Sequence, residues 1–270
     1  MPELPEVETI ARGLANTIVG KTVASVRVGL PKMAQAPPGV NFARALRGER
    51  IAGVTRRGKY AVIALGSGRS LVTSLRMTGR LVVQRPRERD YAGTHISLRF
   101  DDGARLSFAD VRTFGRMRLV EPGEPWDRDL GVEPLSSGFT QQGFAAMLSG
   151  RTTPVKAFLL DQRRIAGIGN IYACEALWEA RIRPSRPAKA LNEAAIGRLY
   201  VAIVDVLERA TQMRGTSVDD YVDAAGLEGG FQNALSVYGR LGLPCARCGK
   251  PIVRTVLAQR GTWWCRTCQR

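Results

Sequence analysis

The sequence predicts an α+β protein: an antiparallel β-sandwich led by one helix, then a helical domain that ends in a four-cysteine zinc ribbon. Three observations carry that expectation. Hydrophobicity alternates with period two from about residue 22 to residue 120, and it returns to a helical period after residue 138. Four of the five cysteines fall in the last 26 of 270 residues.

The leading helix spans 5 to 18, where Pro5 suits a first turn and Val7, Ile10, Leu14 and Ile18 recur at helical spacing. Short β-branched segments follow: TVASVRVG, KYAVIAL, SLVTSLRM, GRLVVQ, HISLRF, ARLSF and RMRLVEP. Asp101-Asp102-Gly103 between two of them is a hairpin turn. This gives a first domain at 1–122 and a linker at 123–138, which is rich in Pro, Gly, Ser and charge. A helical domain follows at 139–242, built from QQGFAAMLSG, TPVKAFLLDQ, IYACEALWEA and EAAIGRLYVAIVDVLERATQM. In the last of these, Ile196, Leu199, Tyr200, Ile203 and Leu207 form an apolar stripe. Residues 214 to 231 have much glycine and no period, which reads as a mobile loop. The ribbon occupies 243–270.

Composition narrows the partners. Lys and Arg total 40 against 24 acidic residues, a net charge of +16, which suits a polyanion because each cation on a phosphate releases a counterion. Hydrophobic residues make up 44%, too many for a disordered chain. The N-terminus carries three glutamates in eight residues and no apolar leader. No run is long enough to span a membrane. A soluble, cytosolic monomer is the expectation.

Cys245-x2-Cys248 and Cys265-x2-Cys268, sixteen residues apart, supply four thiolates on two tight knuckles, the donor set of one structural Zn²⁺ with no open position. Cys174 stands apart. Between the knuckles the sequence reads as a hairpin with Arg260-Gly261-Thr262 near its tip. From Arg240 onward there are seven basic residues and no acidic ones, which favours phosphate contact over a plain structural clip.

Three motifs now converge. MPELPEVE at the start, GIGNIYACEALW at 167–178, and SVYGRLGLPCARCG with RGTWWCRTCQ at the end resemble the formamidopyrimidine-DNA glycosylase family in the same order. The resemblance implies a helix–two-turn–helix in the second domain. It also implies an activity on double-stranded DNA with oxidised or abasic residues: excision of 8-oxoguanine or formamidopyrimidines, then strand cleavage by β- and δ-elimination.

The same resemblance assigns residues. Loss of Met1 would free the amine of Pro2, and an α-amino group titrates near pH 8, roughly two units below lysine, so a nucleophilic fraction exists at neutral pH. Glu3 is implied as general acid/base with Glu6 in support; from the residues alone the two cannot be ranked, and both also suit a helix N-terminus. Lys59 is implied in β-elimination and Arg260 in gripping phosphate during δ-elimination. Met77, Arg112 and Phe114 match the residues that fill the void left by a flipped base, although singly Met77 and Phe114 read as core. His95, Arg151, Lys156 and Asn170 match DNA-contact positions, Asn170 at a glycine-bounded helix start suited to phosphate.

Departures are visible too. Ser74 stands where the family commonly has His, Thr113 where a second Arg is common, and Arg266 where Pro is common. A sister branch acting on oxidised pyrimidines is the nearest alternative; Leu4, the Met77/Arg112/Phe114 set and the long 214–231 loop favour the purine branch. A non-enzymatic DNA-binding protein would leave MPELPE and Lys59 unexplained.

Overall fold

The computed structural model describes residues 2–218 and 220–270; the expected loss of Met1 lies outside the described residues. The chain divides into two compact units. The first runs to Arg128 and includes Met213–Gln232, and the second holds Asp129–Gln212 and Asn233–Arg270.

In the first unit, α1 (Leu4–Ile18) buries Leu4, Val7, Ile10, Leu14 and Ile18, the face its period predicts. Two sheets follow. One has four strands in the order β1-β7-β8-β6, from β1 (Val23–Val28), β6 (Gly79–Gln84), β7 (Thr94–Phe100) and β8 (Arg105–Asp110). The other has five in the order β2-β9-β5-β4-β3, from β2 (Ala34–Gln35), β3 (Ile51–Arg57), β4 (Tyr60–Leu65), β5 (Ser70–Ser74) and β9 (Arg116–Val120). All pairs are antiparallel except the two-residue β2–β9 pair. Ile63, Leu71 and Met117 of one sheet share a single core with Leu81, Leu98, Leu106 and Phe108 of the other and with α1.

Strands β2 and β3 and a short helix fall outside the strands and helices expected. The alternation of β3 is broken by a register shift between Ile51 and Gly53. The short α2 (Phe42–Leu46) depends on Asn41, whose side chain accepts from the Arg44 amide at 2.9 Å. The β7–β8 hairpin turns where expected, with Gly103 at φ 85° and its amide donating to Phe100 at 3.0 Å.

Residues 213–232 correct the expected boundary of the helical domain. Among the described residues of this segment, the Thr216 amide donates to Glu6 Oε1 at 2.7 Å and the Ala224 carbonyl accepts from the Val83 amide at 2.9 Å. These bonds bind the segment into the first unit. Its two arms also cross closely: a Cβ on Gly229 would lie 2.3 Å from the Gly215 carbonyl oxygen. Within it the Tyr221 hydroxyl donates to the Arg214 carbonyl at 3.1 Å, so the loop expected at 214–231 carries bonds of its own.

The second unit contains α3 (Gln141–Leu148), α4 (Val155–Leu160), α5 (Asn170–Glu179), the 20-residue α6 (Glu193–Gln212) and the hairpin β10 (Val253–Leu257) and β11 (Arg260–Trp264). α6 buries Leu199, Ile203 and Leu207 of the expected stripe together with Ala195, Ala202 and Val206. Ala195 takes the core side in place of half-buried Ile196.

Candidate active site and nucleic-acid interface

At the N-terminus, Pro2, Glu3 and Glu6 are all buried. The Glu6 carboxylate is divided between two backbone donors: Oε2 accepts from the Glu3 amide at 2.7 Å and Oε1 from the Thr216 amide at 2.7 Å. Glu6 therefore fixes both the start of α1 and the 213–232 segment. A Cβ at Gly215, φ 81°, would stand 2.8 Å from Glu6 Oε1, so only glycine admits this approach. Burial and the nearby Glu6 charge push the Tyr221 phenol up, which keeps it a neutral donor. Lys59 is half-buried in the two-residue β3–β4 turn, after Gly58 at φ 56°.

Met77, Arg112 and Phe114 lie on two loops that run side by side. The loop 75–78 joins β5 to β6 and the loop 111–115 joins β8 to β9, so each passes from one sheet to the other. Their roots are paired, Ser74 with Arg116 and Gly79 with Asp110. Met77 and Phe114 are 41% and 51% exposed, which excludes the core reading for both. Arg112 donates to Met77 Sδ at 3.0 Å and lies 4.9 Å from the Phe114 ring centroid, so the three side chains form one cluster. Thr113, at φ 54°, is a β-branched residue in the left-handed region and accepts from Lys32 Nζ at 2.8 Å. His95 is half-buried, its Nε2 3.1 Å from the Asp110 carbonyl.

In the second unit Lys156 is fully buried, and this corrects the expectation that it faces DNA. Its ammonium donates to Asn170 Oδ1 at 2.6 Å, Thr262 Oγ1 at 2.7 Å and the Gly261 carbonyl at 3.1 Å. Asn170, the first residue of α5, also donates through Nδ2 to Gly261 at 3.0 Å. The helix start and the ribbon hairpin are thus tied together from inside. Gln162 shapes the preceding turn: its Oε1 accepts from the Gly167 amide at 2.9 Å and its Nε2 donates to Ile168 at 2.7 Å. Arg151 is exposed.

The hairpin also differs from expectation. Its turn is Ala258-Gln259, at φ 50° and 58°, the double positive φ of a type I′ turn, and Arg260 opens β11 opposite Leu257. Gly261 is not a turn residue. A Cβ there would lie 3.0 Å from the Trp263 ring and 3.2 Å from Arg254, so glycine admits the indole and guanidinium that cover it. Arg260 is exposed and shares a strand face with Thr262, whereas Arg254 lies on the opposite face, over Trp263.

The four ribbon sulfurs lie within 4.8 Å of one another. Measured separations are 3.9 Å for Cys245–Cys268 and 3.5 Å for Cys248–Cys265. A zinc–thiolate tetrahedron with bonds of about 2.3 Å would separate its sulfurs by about 3.8 Å, so the set fits zinc. Burial opposes the Cys245 thiolate, but the Trp178 indole and the Arg247 and Cys248 amides outweigh it and bring the thiol down to about 6. Cys174 is buried against the cluster without joining the ligand set. The segment that leads into the ribbon is anchored by Glu175, whose carboxylate accepts from the amides of Ser236, Val237 and Tyr238 at 2.8 to 3.0 Å.

Asp110, Gln162, Glu175 and Thr216 are the organising residues that motif reading passes over. Glu175 alone carries a local signal, a carboxylate inside the apolar run YACEALW. The others act on partners that lie elsewhere in the sequence or on backbone atoms.

One unit thus buries two carboxylates at the head of the chain, and the other closes on a four-cysteine centre that holds one structural zinc; together they define a zinc-ribbon protein. Family models match in order across the chain: the formamidopyrimidine-DNA glycosylase N-terminal domain at 1–117, its H2TH domain at 130–222, and the zinc finger found in FPG and IleRS at 242–270. The chain belongs to the formamidopyrimidine-DNA glycosylase family. It is 47% identical over 277 residues to the formamidopyrimidine-DNA glycosylase of Heliobacterium modesticaldum, covering 100% of both. The Enterococcus faecalis relative is 43% identical, over 100% of this chain and 98% of that one. Among solved structures, Fpg of Thermus thermophilus superposes with a TM-score of 0.89 at 42% identity, covering 99% and 98% of the two chains. A Lactococcus lactis Fpg mutant in complex with Fapy-dG DNA gives a TM-score of 0.92 at 35% identity, covering 100% of each. No helix among the described residues is long and apolar enough to cross a membrane.

Proposed function

We propose that this chain is a bifunctional DNA glycosylase/AP lyase that removes oxidised purines from duplex DNA, with Pro2 as nucleophile. The observation that carries the reading is the buried Pro2-Glu3-Glu6 centre, in which Glu6 is bonded on both oxygens to backbone amides. The resemblance to the family gives proton transfer to Glu3 and the support role to Glu6, whose two oxygens are both engaged by backbone amides.

The neutral Pro2 amine attacks the sugar C1′, and the base leaves with its bonding electrons and takes up a proton. The amine then loses its proton and the C1′–O4′ bond breaks onto a protonated ring oxygen, which leaves the Pro2 iminium. The resulting iminium acidifies C2′. Loss of that proton, with Lys59 assisting, expels the 3′ phosphate, and a second elimination expels the 5′ phosphate. Met77, Arg112 and Phe114 occupy the void left by the extruded nucleotide. Arg260, Arg151, His95 and Asn170 bind the backbone, and Lys156 serves DNA indirectly by holding Asn170 and the hairpin. Zinc, when bound, supplies no bond chemistry and maintains the ribbon that carries Arg260. The Fapy-dG and abasic-site DNA bound by the Lactococcus lactis structures support this substrate class. Such an enzyme works where the chromosome is, in the cytosol or nucleoid.

Borohydride trapping on 8-oxoguanine duplex tests it. Peptide mass analysis of the adduct is expected to place the DNA on an N-terminal Pro2. No adduct, or one on Lys59, would overturn the mechanism.

A further inference from the structure

The three exposed side chains of the two crossover loops need a device that keeps them together, because exposed loops ordinarily lose order first. The structure contains one. Asp110, the last residue of β8, is buried at 1% exposure, and its carboxylate collects donors from both loops. Oδ1 accepts from the hydroxyl of Thr78, the residue after Met77, and from the Arg112 amide at 3.2 Å. Oδ2 accepts from the amide of Gly115, the residue after Phe114, at 2.7 Å. Its carbonyl accepts from the Thr113 amide at 3.1 Å.

The backbone around these bonds is closely packed. A Cβ on Gly115 would meet the Phe108 ring at 2.6 Å, and one on Gly79 would meet the Leu75 carbonyl oxygen at 2.3 Å. Arg76 and Thr113, both at φ 54°, hold left-handed conformations that L-residues other than glycine adopt only under constraint.

We infer that Asp110 is the positioning residue of the base-extrusion wedge, clamping the Met77 loop to the Arg112–Phe114 loop so that the three side chains are assembled before DNA arrives. This rests on the reading of Met77, Arg112 and Phe114 as void-filling residues. Asp110 itself touches no DNA. A carboxylate suits the task because all its donors point inward, and it offers acceptor sites on both oxygens. Asn at this position would turn an N–H against at least one of those donors.

The test uses the full-length zinc-loaded protein and separates extrusion from chemistry. Asp110→Asn and Thr78→Val are compared with wild type on an 8-oxoguanine duplex and on a single-stranded oligonucleotide with a preformed abasic site, which has no stack to open. Duplex excision is expected to fall about tenfold to hundredfold, the scale of an ångström-sized misplacement. Cleavage of the single strand should stay within about threefold of wild type on the same argument. Thr78→Ser, which keeps the hydroxyl, should recover duplex excision. Parallel losses on both substrates would make Asp110 a general stability residue and overturn the proposal. So would undiminished duplex excision, or a Thr78→Ser protein as poor as Thr78→Val.

A second readout needs no catalysis. Bound to an uncleavable tetrahydrofuran duplex with 2-aminopurine opposite the gap, wild type should change the fluorescence, and Asp110→Asn at saturation should not. If wild type shows this change but never excises, the proposed activity fails while the wedge assignment stands. An equal fluorescence change in both proteins would overturn the positioning role of Asp110 alone.

Discussion

Within the zinc ribbon the paired thiols are at most 23 residues apart, whereas around Glu6 the decisive bond reaches 210 residues along the chain. Both are small centres built on few side chains. The ribbon's order comes from one metal gathering neighbours that two C-x2-C knuckles have already placed. The N-terminal centre has no such shared partner; its carboxylate meets amides that the fold must deliver. One region should therefore fail in a single step on metal loss, and the other by degrees.

The largest effect tests the ribbon. Cys248→Ser removes one of four ligands, and zinc in such sites contributes on the order of 10 kcal/mol or more to folding the ribbon. The variant should purify without zinc and lose DNA affinity. Cys174→Ser, buried against the cluster but outside it, should keep one zinc per chain. Metal content by elemental analysis decides; a zinc-free Cys174→Ser protein refutes the ligand set.

The same contrast explains what could be read without coordinates. Four cysteines at fixed spacing, the α1 stripe and the Asp101-Asp102-Gly103 turn are local patterns, and each lies where its period or spacing put it. Arg260 lies near the ribbon's tip as expected, but the turn itself carried no sequence signal, because Ala258 and Gln259 adopt positive φ without glycine while Gly261 supplies space for Trp263. β3 escaped because its register shift breaks the alternation. Lys156 was legible only as a position matching the family's DNA contacts, since nothing near it in sequence announces three acceptors on Asn170, Gly261 and Thr262. Asp110 and Thr216 gave no motif, because what they do depends on atoms brought together by folding.

Lys156 and Arg260 sharpen the comparison at intermediate size, since one holds the hairpin and the other is displayed on it. Lys156→Met leaves buried acceptors without their donor and should cost about 1–3 kcal/mol of stability. Arg260→Ala should leave stability and zinc unchanged, weaken DNA binding by about 1.5–3 kcal/mol, and make the salt slope shallower by about one unit. Arg254→Ala, on the other hairpin face, should be milder. Thermal melts with binding titrations at several salt concentrations separate the two roles. An Arg260→Ala protein with wild-type affinity and slope would reduce the ribbon to a clip.

The smallest effect concerns how α1 is held in register for the N-terminal centre. Glu8 lies on α1 and pairs with Arg56 of β3 at 2.9 Å and with Arg12 one turn on at 2.7 Å. Burial works against the Glu8 charge, but the two guanidinium groups outweigh it and hold the carboxyl below its ordinary value of 4.5. A depressed carboxyl stabilises the folded state above its unfolded pKa, and the contribution fades as pH falls through the folded value. Arg12 is largely exposed and Arg56 is not, so most of the effect belongs to the Arg56 pair. Glu8→Gln should therefore lower stability at pH 7 by only about 0.3–1 kcal/mol, the range of partly solvated pairs. The gap should close as pH falls through the lowered folded value, where the wild-type carboxyl also becomes neutral. Denaturant melts of both proteins from pH 7 to pH 3 check this. A difference that persists undiminished at pH 3 would mean that Glu8 acts through packing against β3, and that charge does not set the register of α1.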